Sequence, residues 1–256
     1  MSYYFKNSDS RAGSILGKIT DAVFPMSTYC LCCGNIIDDT RKYALCNHCM
    51  DHIRWGNLVV ENQETHPGYS NPDIVISCAG YGNYTSKLIS DLKYNKKTYI
   101  ARIIAEVMED RIKNDPDTAE YILASDCIIP VPVSRERENE RGFNQMARIG
   151  KHLSSSTGIP MADGAVIRNH NTEAQKKLSP SERFENLDGA FEISERGKEL
   201  LKGKTVLIID DIYTTGATAV MMTTVLKRAG VSTVYFMSFC TGNENAAGFF
   251  QSRFEH

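Results

Sequence analysis

Residues 204–218 read KTVLIIDDIYTTGAT, and the fold turns on how that stretch is parsed. Val206, Leu207, Ile208 and Ile209 form an unbroken apolar run, the pattern of a central strand in a parallel sheet covered on both faces. Asp210 and Asp211 follow at its carboxyl end, the edge at which open α/β sheets bind ligands. Thr214, Thr215, Gly216, Ala217 and Thr218 then open a helix that continues through Val220, Met221 and Val225. A Thr/Gly turn at a helix N-terminus offers backbone N–H groups, hydroxyl donors and the positive dipole end, which together cradle phosphate. Acceptors for sugar hydroxyls thus stand beside donors for a phosphate, a pairing that fits a ribose 5-phosphate. Taken singly, the acids would only end a strand and the threonines only cap a helix. Their succession is the specific signal. No Gly-Lys-Ser/Thr follows the glycine, so this is not a Walker A loop.

Strands and helices alternate on either side of this segment. DIVISCAGY (73–81), CIIPVPV (127–133), AVIR (165–168), TVLIID (205–210) and TVYFMSF (233–239) read as strands. YTSKLISDLKYN (84–95), TYIARIIAEVMEDRI (98–112), residues 143–154 and 217–229 carry apolar residues at helical spacing. The alternation predicts an α/β fold, a parallel sheet with helices on both faces. Upstream, Leu16 and the four-residue recurrence of Ile15, Ile19 and Val23 predict a short amphipathic helix ended by Pro25. Residues 56–72, polar and rich in turn formers, read as a linker. The expected organisation is an N-terminal helix and cysteine segment over 1–55, a linker over 56–72 and the α/β domain over 73–256.

The chain has 256 residues, enough for one substantial domain with an appendage. Its 29 Lys+Arg against 31 Asp+Glu exclude a surface that clings to nucleic acid everywhere. No apolar run reaches the roughly 18 residues of a membrane span, and MSYYFKNSDSRAGSILGK lacks a signal peptide's apolar centre. A soluble, cytoplasmic protein is the expectation.

Five of the eight cysteines, Cys30, Cys32, Cys33, Cys46 and Cys49, fall within 20 residues, while Cys78, Cys127 and Cys240 lie scattered in apolar runs as small core residues. Cys30-x2-Cys33 and Cys46-x2-Cys49 are two knuckles 12 residues apart, the spacing of a closed tetrahedral S4 site for structural Zn²⁺. A lone redox CxxC would need no matched partner. Gly34 suits the first tight turn. Cys32 is a spare thiol within that knuckle, and His48 and His52 are alternative ligands that also read as plain surface residues.

The acid pair and Thr/Gly turn resemble the phosphoribosyl-pyrophosphate (PRPP) motif of type I phosphoribosyltransferases. Over nearly its whole length the chain resembles the ComF family, competence-associated phosphoribosyltransferase-like proteins with an N-terminal four-cysteine zinc segment. The matching stretches are Phe24-Pro25, the CxxC pairs, Leu92-Lys93-Tyr94, IIPVPVSRERENERGFNQ, Arg168 through Gln175, LSPSERFENLDGAF and DDIYTTGAT, in family order. Ala217 stands where the general type I pattern has glycine, a change the ComF pattern tolerates. Purine-using enzymes carry a third acid where Thr214 stands, so the resemblance argues against hypoxanthine- or guanine-type activity.

The resemblance implies a type I phosphoribosyltransferase-like sheet with a small zinc-ribbon-like segment. It also implies residue roles: Asp210 and Asp211 on the ribose hydroxyls, directly or through Mg²⁺-bound water, and Thr214, Thr215, Gly216, Ala217 and Thr218 on the 5-phosphate. Val133, Ser134 and Arg135 are placed like the pyrophosphate loop, with Pro130 and Pro132 restricting its backbone. Lys93 is a candidate pyrophosphate contact. Arg141 sits in a family motif, whereas Arg137 fits a solvated face paired with Glu136, Glu138 and Glu140 equally well. The polar stretch 169–186 reads as a functional loop whose candidate catalytic residues are Arg168, Gln175 and Arg183, with Asn186 fixing its base. Phe191 reads as a core anchor.

Loss of pyrophosphate from PRPP builds positive charge on the ribose, and Arg and Lys aimed at the leaving group would stabilise it. No residue stands out as a base for an incoming nucleophile. Two functions compete: a phosphoribosyl transferase acting on an unknown acceptor, and a non-catalytic PRPP-site scaffold that handles single-stranded DNA with competence proteins. Residues 86–102, with five basic residues and one acid, form the candidate nucleic-acid patch. The same cations suit PRPP.

Overall fold

The computed structural model describes residues 29–38, 40–59, 68–95, 97–169, 187 and 189–242. The helix expected over 15–23 and the loop residues 170–186 lie outside them. The chain divides into two compact units between Met50 and Asp51.

In the first unit the Cys30 amide donates to the Asn35 carbonyl (2.7 Å) and the Gly34 amide to the Cys30 carbonyl (2.9 Å), closing a tight turn. Gly34 lies at φ 77°, the left-handed geometry such a turn requires. A bend through Tyr43 and Ala44 leads to helix α1 (Asn47–Asp51), which carries Cys49.

The second unit is built on a five-stranded sheet in the order β1 (Trp55–Val59), β2 (Ile74–Gly80), β7 (Thr233–Thr241), β6 (Thr205–Tyr213), β3 (Cys127–Pro130). The last four run parallel and β1 pairs antiparallel to β2. All of strand β1 but Trp55 falls in the stretch read as linker; Leu58 and Val59 between Asn57 and a turn-rich segment give too short an apolar run to stand out. Val206 to Ile209 are all buried, as their unbroken apolar run demands.

Two layers of helices cover this sheet. On one face lie α2 (Asn83–Tyr94), α3 (Ile100–Asn114), α4 (Pro116–Leu123) and α6 (Gln145–Thr157), with α3 and α6 packed together. Gly150 lets α6 approach closely: a methyl there would come within 3.1 Å of the Ile209 Cδ1 and 2.9 Å of the Met161 sulfur. On the other face Met222 and Leu226 of α8 (Ala217–Arg228) pack with Val206, Ile208, Val234 and Phe236. Two short elements complete the unit, α5 (Arg135–Arg141) and α7 (Glu195–Leu201).

The stretch AVIR forms a strand but does not join the main sheet. Val166–Arg168 (β4) pairs antiparallel with Phe191–Ile193 (β5) in a separate two-stranded ribbon. Phe191 is buried in the α8-side cluster, as expected of an anchor. The ribbon leans on α7 at Gly197, where an added methyl would press on the Ala165 carbonyl oxygen. One polar row crosses the apolar sheet: Asp210 is in register with Ser238, and Ser238 with Ser77. The two serine hydroxyls are fully buried and 2.6 Å apart, and Ser238 Oγ donates to the Cys240 carbonyl (3.1 Å).

Candidate functional site

A cavity of about 360 Å³ opens at the carboxyl ends of the parallel strands. Its walls bring together Asp210 and Asp211 from β6, Thr214–Thr218 from the following turn and the start of α8, Lys93 and Tyr94 from α2, Val133 after β3, Arg137 and Arg141 from α5, and Arg168 from β4. Segments more than 100 residues apart in sequence thus meet at one point. Gly216 takes φ 80° and caps α8, turning the chain so that the first helical amides end at the cavity.

Four cations face three carboxylates here, counting Glu140. Lys93 Nζ lies 2.5 Å from Asp211 Oδ2, with both side chains largely buried. Burial opposes the Lys93 charge, but Asp211 and then Asp210 outweigh it and hold the ammonium above its usual range. Asp210 behaves in the opposite sense. Burial, followed by the adjacent Asp211 charge, pushes its carboxyl up to about 7, although Lys93, the Asp211 amide and Arg168 pull the other way. Asp210 Oδ1 accepts from that amide at 2.8 Å. Arg168 is brought down to about 10 by burial and by like-charged Arg137, with Asp210 opposing, and stays protonated at neutral pH. Its guanidinium also lies 5.4 Å over the Phe191 ring. Arg141 is held from two sides: it donates to Gln145 Oε1 (3.1 Å) and stacks 5.5 Å over Tyr94.

Other expected residues fall elsewhere. Ser134 is buried and caps α5, its hydroxyl accepting from the Arg137 amide (3.4 Å). The stretch read as an anion loop is therefore helical from Arg135, with Glu136 in its first turn, Arg141 in its last and left-handed Gly142 ending it. Arg135 is exposed and lines a neighbouring groove, while Arg137 reaches the cavity. The helical period separates these two arginines, a distinction that required recognising α5. Gln175, Arg183 and Asn186 lie outside the described residues. The cavity also includes Gln145, Met146, Tyr213 and Phe236, none of them foreseen as lining. Tyr213 stacks edge-on against Phe236, and its buried hydroxyl has no hydrogen-bond partner among the described residues.

The stretch 86–102 is not a field of unpaired cations. Lys87 and Lys97 both pair with Asp91, Lys93 with Asp211, and Arg102 with Glu106. Lys96 lies outside the described residues.

In the first unit the sulfurs of Cys30, Cys33, Cys46 and Cys49 all lie within 4.8 Å of one another. Cys33 and Cys46 are 3.5 Å apart, near the roughly 3.8 Å edge of a tetrahedron with Zn–S about 2.3 Å. The four thiols are a donor set able to hold zinc, and Cys32, His48 and His52 are not part of it. The Cys46 amide donates to Cys30 Sγ (3.3 Å). Burial opposes a Cys30 thiolate, but this amide and those of Cys33 and Cys32 outweigh it and bring the thiol to about 6. Such N–H···S bonds suit a metal knuckle. Among the described residues no helix is long and apolar enough to cross a membrane.

The chain is similar in sequence to known proteins. Residues 144–247 match the phosphoribosyl transferase domain family. Competence protein F of Haemophilus influenzae is 26% identical over 207 residues, 79% of this chain and 86% of that protein. DNA utilization protein YhgH of Shigella flexneri is 31% identical over 167 residues, 65% of this chain and 71% of that protein. Competence protein ComFC of Bacillus subtilis is 37% identical over 91 residues, 36% of this chain and 34% of that protein. The similarity extends well beyond the phosphoribosyl transferase match and takes in competence proteins from more than one source, and on that ground the chain belongs to the ComF family.

Proposed function

We propose that the cavity binds PRPP together with Mg²⁺ and that the protein uses the bound phosphoribose, as transferase or as sensor-like scaffold, in handling incoming DNA. The observation that carries this reading is the convergence of an acid pair, a Thr/Gly turn and four cations on one cavity. Asp210 and Asp211 would accept from the ribose hydroxyls, and the turn Thr214–Thr218 would hold the 5-phosphate at the α8 N-terminus. Lys93, Arg137, Arg141 and Arg168, which line the cavity, would face the diphosphate. Lys93 must then be shared between Asp211 and the ligand, which keeps the ammonium desolvated and close to the leaving group.

The carboxylate pair suits Mg²⁺, a hard cation that takes few protein oxygens and completes its shell with phosphates and water. Bound with PRPP, the ion would neutralise part of the diphosphate charge. The chain's own contribution is orientation and charge: it holds the ribose by its hydroxyls and sets cations against the departing oxygens.

The test is PRPP titration by calorimetry with and without Mg²⁺, using the wild type and the Asp210→Asn/Asp211→Asn double variant, alongside pyrophosphate release with candidate acceptors. Mg²⁺-dependent binding that the double variant loses supports the reading. Equal binding by the two proteins refutes it. Turnover with an acceptor makes the protein a transferase; binding without turnover favours the scaffold. The names of the competence and DNA-utilization relatives support a role with DNA. The pairing of the described cations in 86–102 predicts weak single-stranded DNA binding by that stretch, measurable at two salt concentrations.

A further inference from the structure

Asp91 lies behind the cavity. It is 3% exposed, and it occupies the last turn of α2, where a negative charge opposes the helix dipole. Burying a carboxylate at such a place is costly unless donors surround it. Here three do: Asn95 Nδ2 at 2.6 Å, Lys97 Nζ at 2.9 Å and Lys87 Nζ at 3.2 Å. The backbone amides of Asn95 and Lys97 also donate to the Asp91 carbonyl, at 3.2 and 3.3 Å. The chain is thus folded back against Asp91 immediately after Tyr94.

Residues two positions apart on a helix are separated by about 200° around its axis, so Asp91 and Lys93 point to nearly opposite sides. Asp91 does not line the cavity, yet it fixes the turn that delivers two cavity residues. Lys93 has a flexible four-carbon stem and must hold its ammonium 2.5 Å from Asp211. Tyr94 is the ring under Arg141. The structure assigns Asp91 as a positioning residue: through its clamp on Asn95 and Lys97 it anchors the end of α2 so that Lys93 reaches Asp211 in the cavity. The consequence for ligand affinity rests on the PRPP reading above; the placement of Lys93 does not.

Two measurements on the full chain test this. The first needs no ligand: competitive acetylation of lysines with acetic anhydride, read by mass spectrometry, in the wild type, Asp91→Asn and Lys97→Met. Lys97 is 41% exposed in its side chain, and Lys87 and Asn95 still donate to Asp91 without it, so the methionine is the milder change should the buried asparagine fail to fold. Labelling of Lys93 should rise about tenfold in both variants while remote Lys227 stays unchanged, because an ammonium drawn off Asp211 loses the charge that holds it above its usual range, and deprotonation about one pH unit easier is a tenfold gain in free amine. Unchanged Lys93 labelling in the folded Lys97→Met variant overturns the assignment.

The second is a double-variant cycle on Mg²⁺–PRPP affinity. Asp91→Asn or Lys97→Met should weaken binding about tenfold in the wild-type background but no more than about twofold when Lys93 is already methionine. Equal losses in the two backgrounds overturn the route through Lys93, because a merely stabilising role would be indifferent to that residue. If the wild type binds no PRPP while the variants still unmask Lys93, the PRPP reading fails and the positioning role stands.

Discussion

Replacing Asp210 by asparagine should make the ligand-free protein more stable while weakening the Mg²⁺-dependent PRPP binding proposed above. The Asp210 carboxyl is pushed up to about 7, first by burial and then by Asp211. An unperturbed aspartate ionises at about 3.9, so the ionised form is disfavoured in the fold over about three pH units at about 1.4 kcal/mol each. That sets a ceiling of about 4 kcal/mol. Because the adjacent acid shares the proton economy of the site, about half, roughly 2 kcal/mol, is the working figure. The sign follows from the proton count: a raised acid binds its proton more tightly in the fold, so the penalty is absent below about pH 4, grows as pH rises and is complete above about 7. Asparagine keeps an oxygen for the Asp211 amide, which now donates to Asp210 Oδ1 at 2.8 Å, and removes the charge. At pH 8 the melting temperature should rise by about 4–8 °C, and at pH 5 by about a third of that. Differential scanning calorimetry across pH 4–8 measures it. A melting temperature equal to or below the wild type at pH 8, or a difference that does not vary with pH, would refute the view that this carboxylate is held against its own electrostatics.

Chelation of the purified protein should release one zinc per chain, and Cys46→Ser should lose it while Cys32→Ser keeps it; metal analysis decides this, and zinc loss from Cys32→Ser would move the ligand set. Gly197→Ala should destabilise the β4–β5 ribbon by about 1–3 kcal/mol, because its methyl meets the Ala165 backbone rather than a side chain that can swing aside. Hydrogen exchange at Val166–Arg168 should speed up in that variant, and unaltered exchange would show that the ribbon does not depend on this close approach. Arg137→Ala should weaken Mg²⁺–PRPP binding more than Arg135→Ala, since only the former lines the cavity. The reverse order would place the diphosphate in the neighbouring groove.

The parallel sheet was legible because its strands are buried on both faces and so appear as continuous apolar runs. The acid pair and turn were legible because strand, acids and helix start are contiguous. What escaped depends on partners distant in the chain. The strand β1 gains its order from β2, and AVIR was readable as a strand while its separation into a ribbon was set by Phe191–Ile193. RERENER shows no apolar period, since α5 has no buried residue, so nothing in its pattern sorted Arg137 from Arg135. The pairings of Lys87 and Lys97 with Asp91 were hidden for a different reason: counting charges along the chain does not reveal which of them neutralise one another.

The hydroxyls of Ser77 and Ser238 impose an order on how this protein can change. Ser238 has a single hydrogen and gives it to the Cys240 carbonyl, so Ser77 must be the donor between them. Alanine at 77 leaves only a spare lone pair on Ser238, whereas alanine at 238 strands a buried O–H, a loss of about 1–3 kcal/mol. Descendants of this sequence can therefore shed the serine at 77 first and the one at 238 afterwards, but the reverse path crosses a less stable protein. A lineage with serine at 77 and an apolar residue at 238 should be scarce.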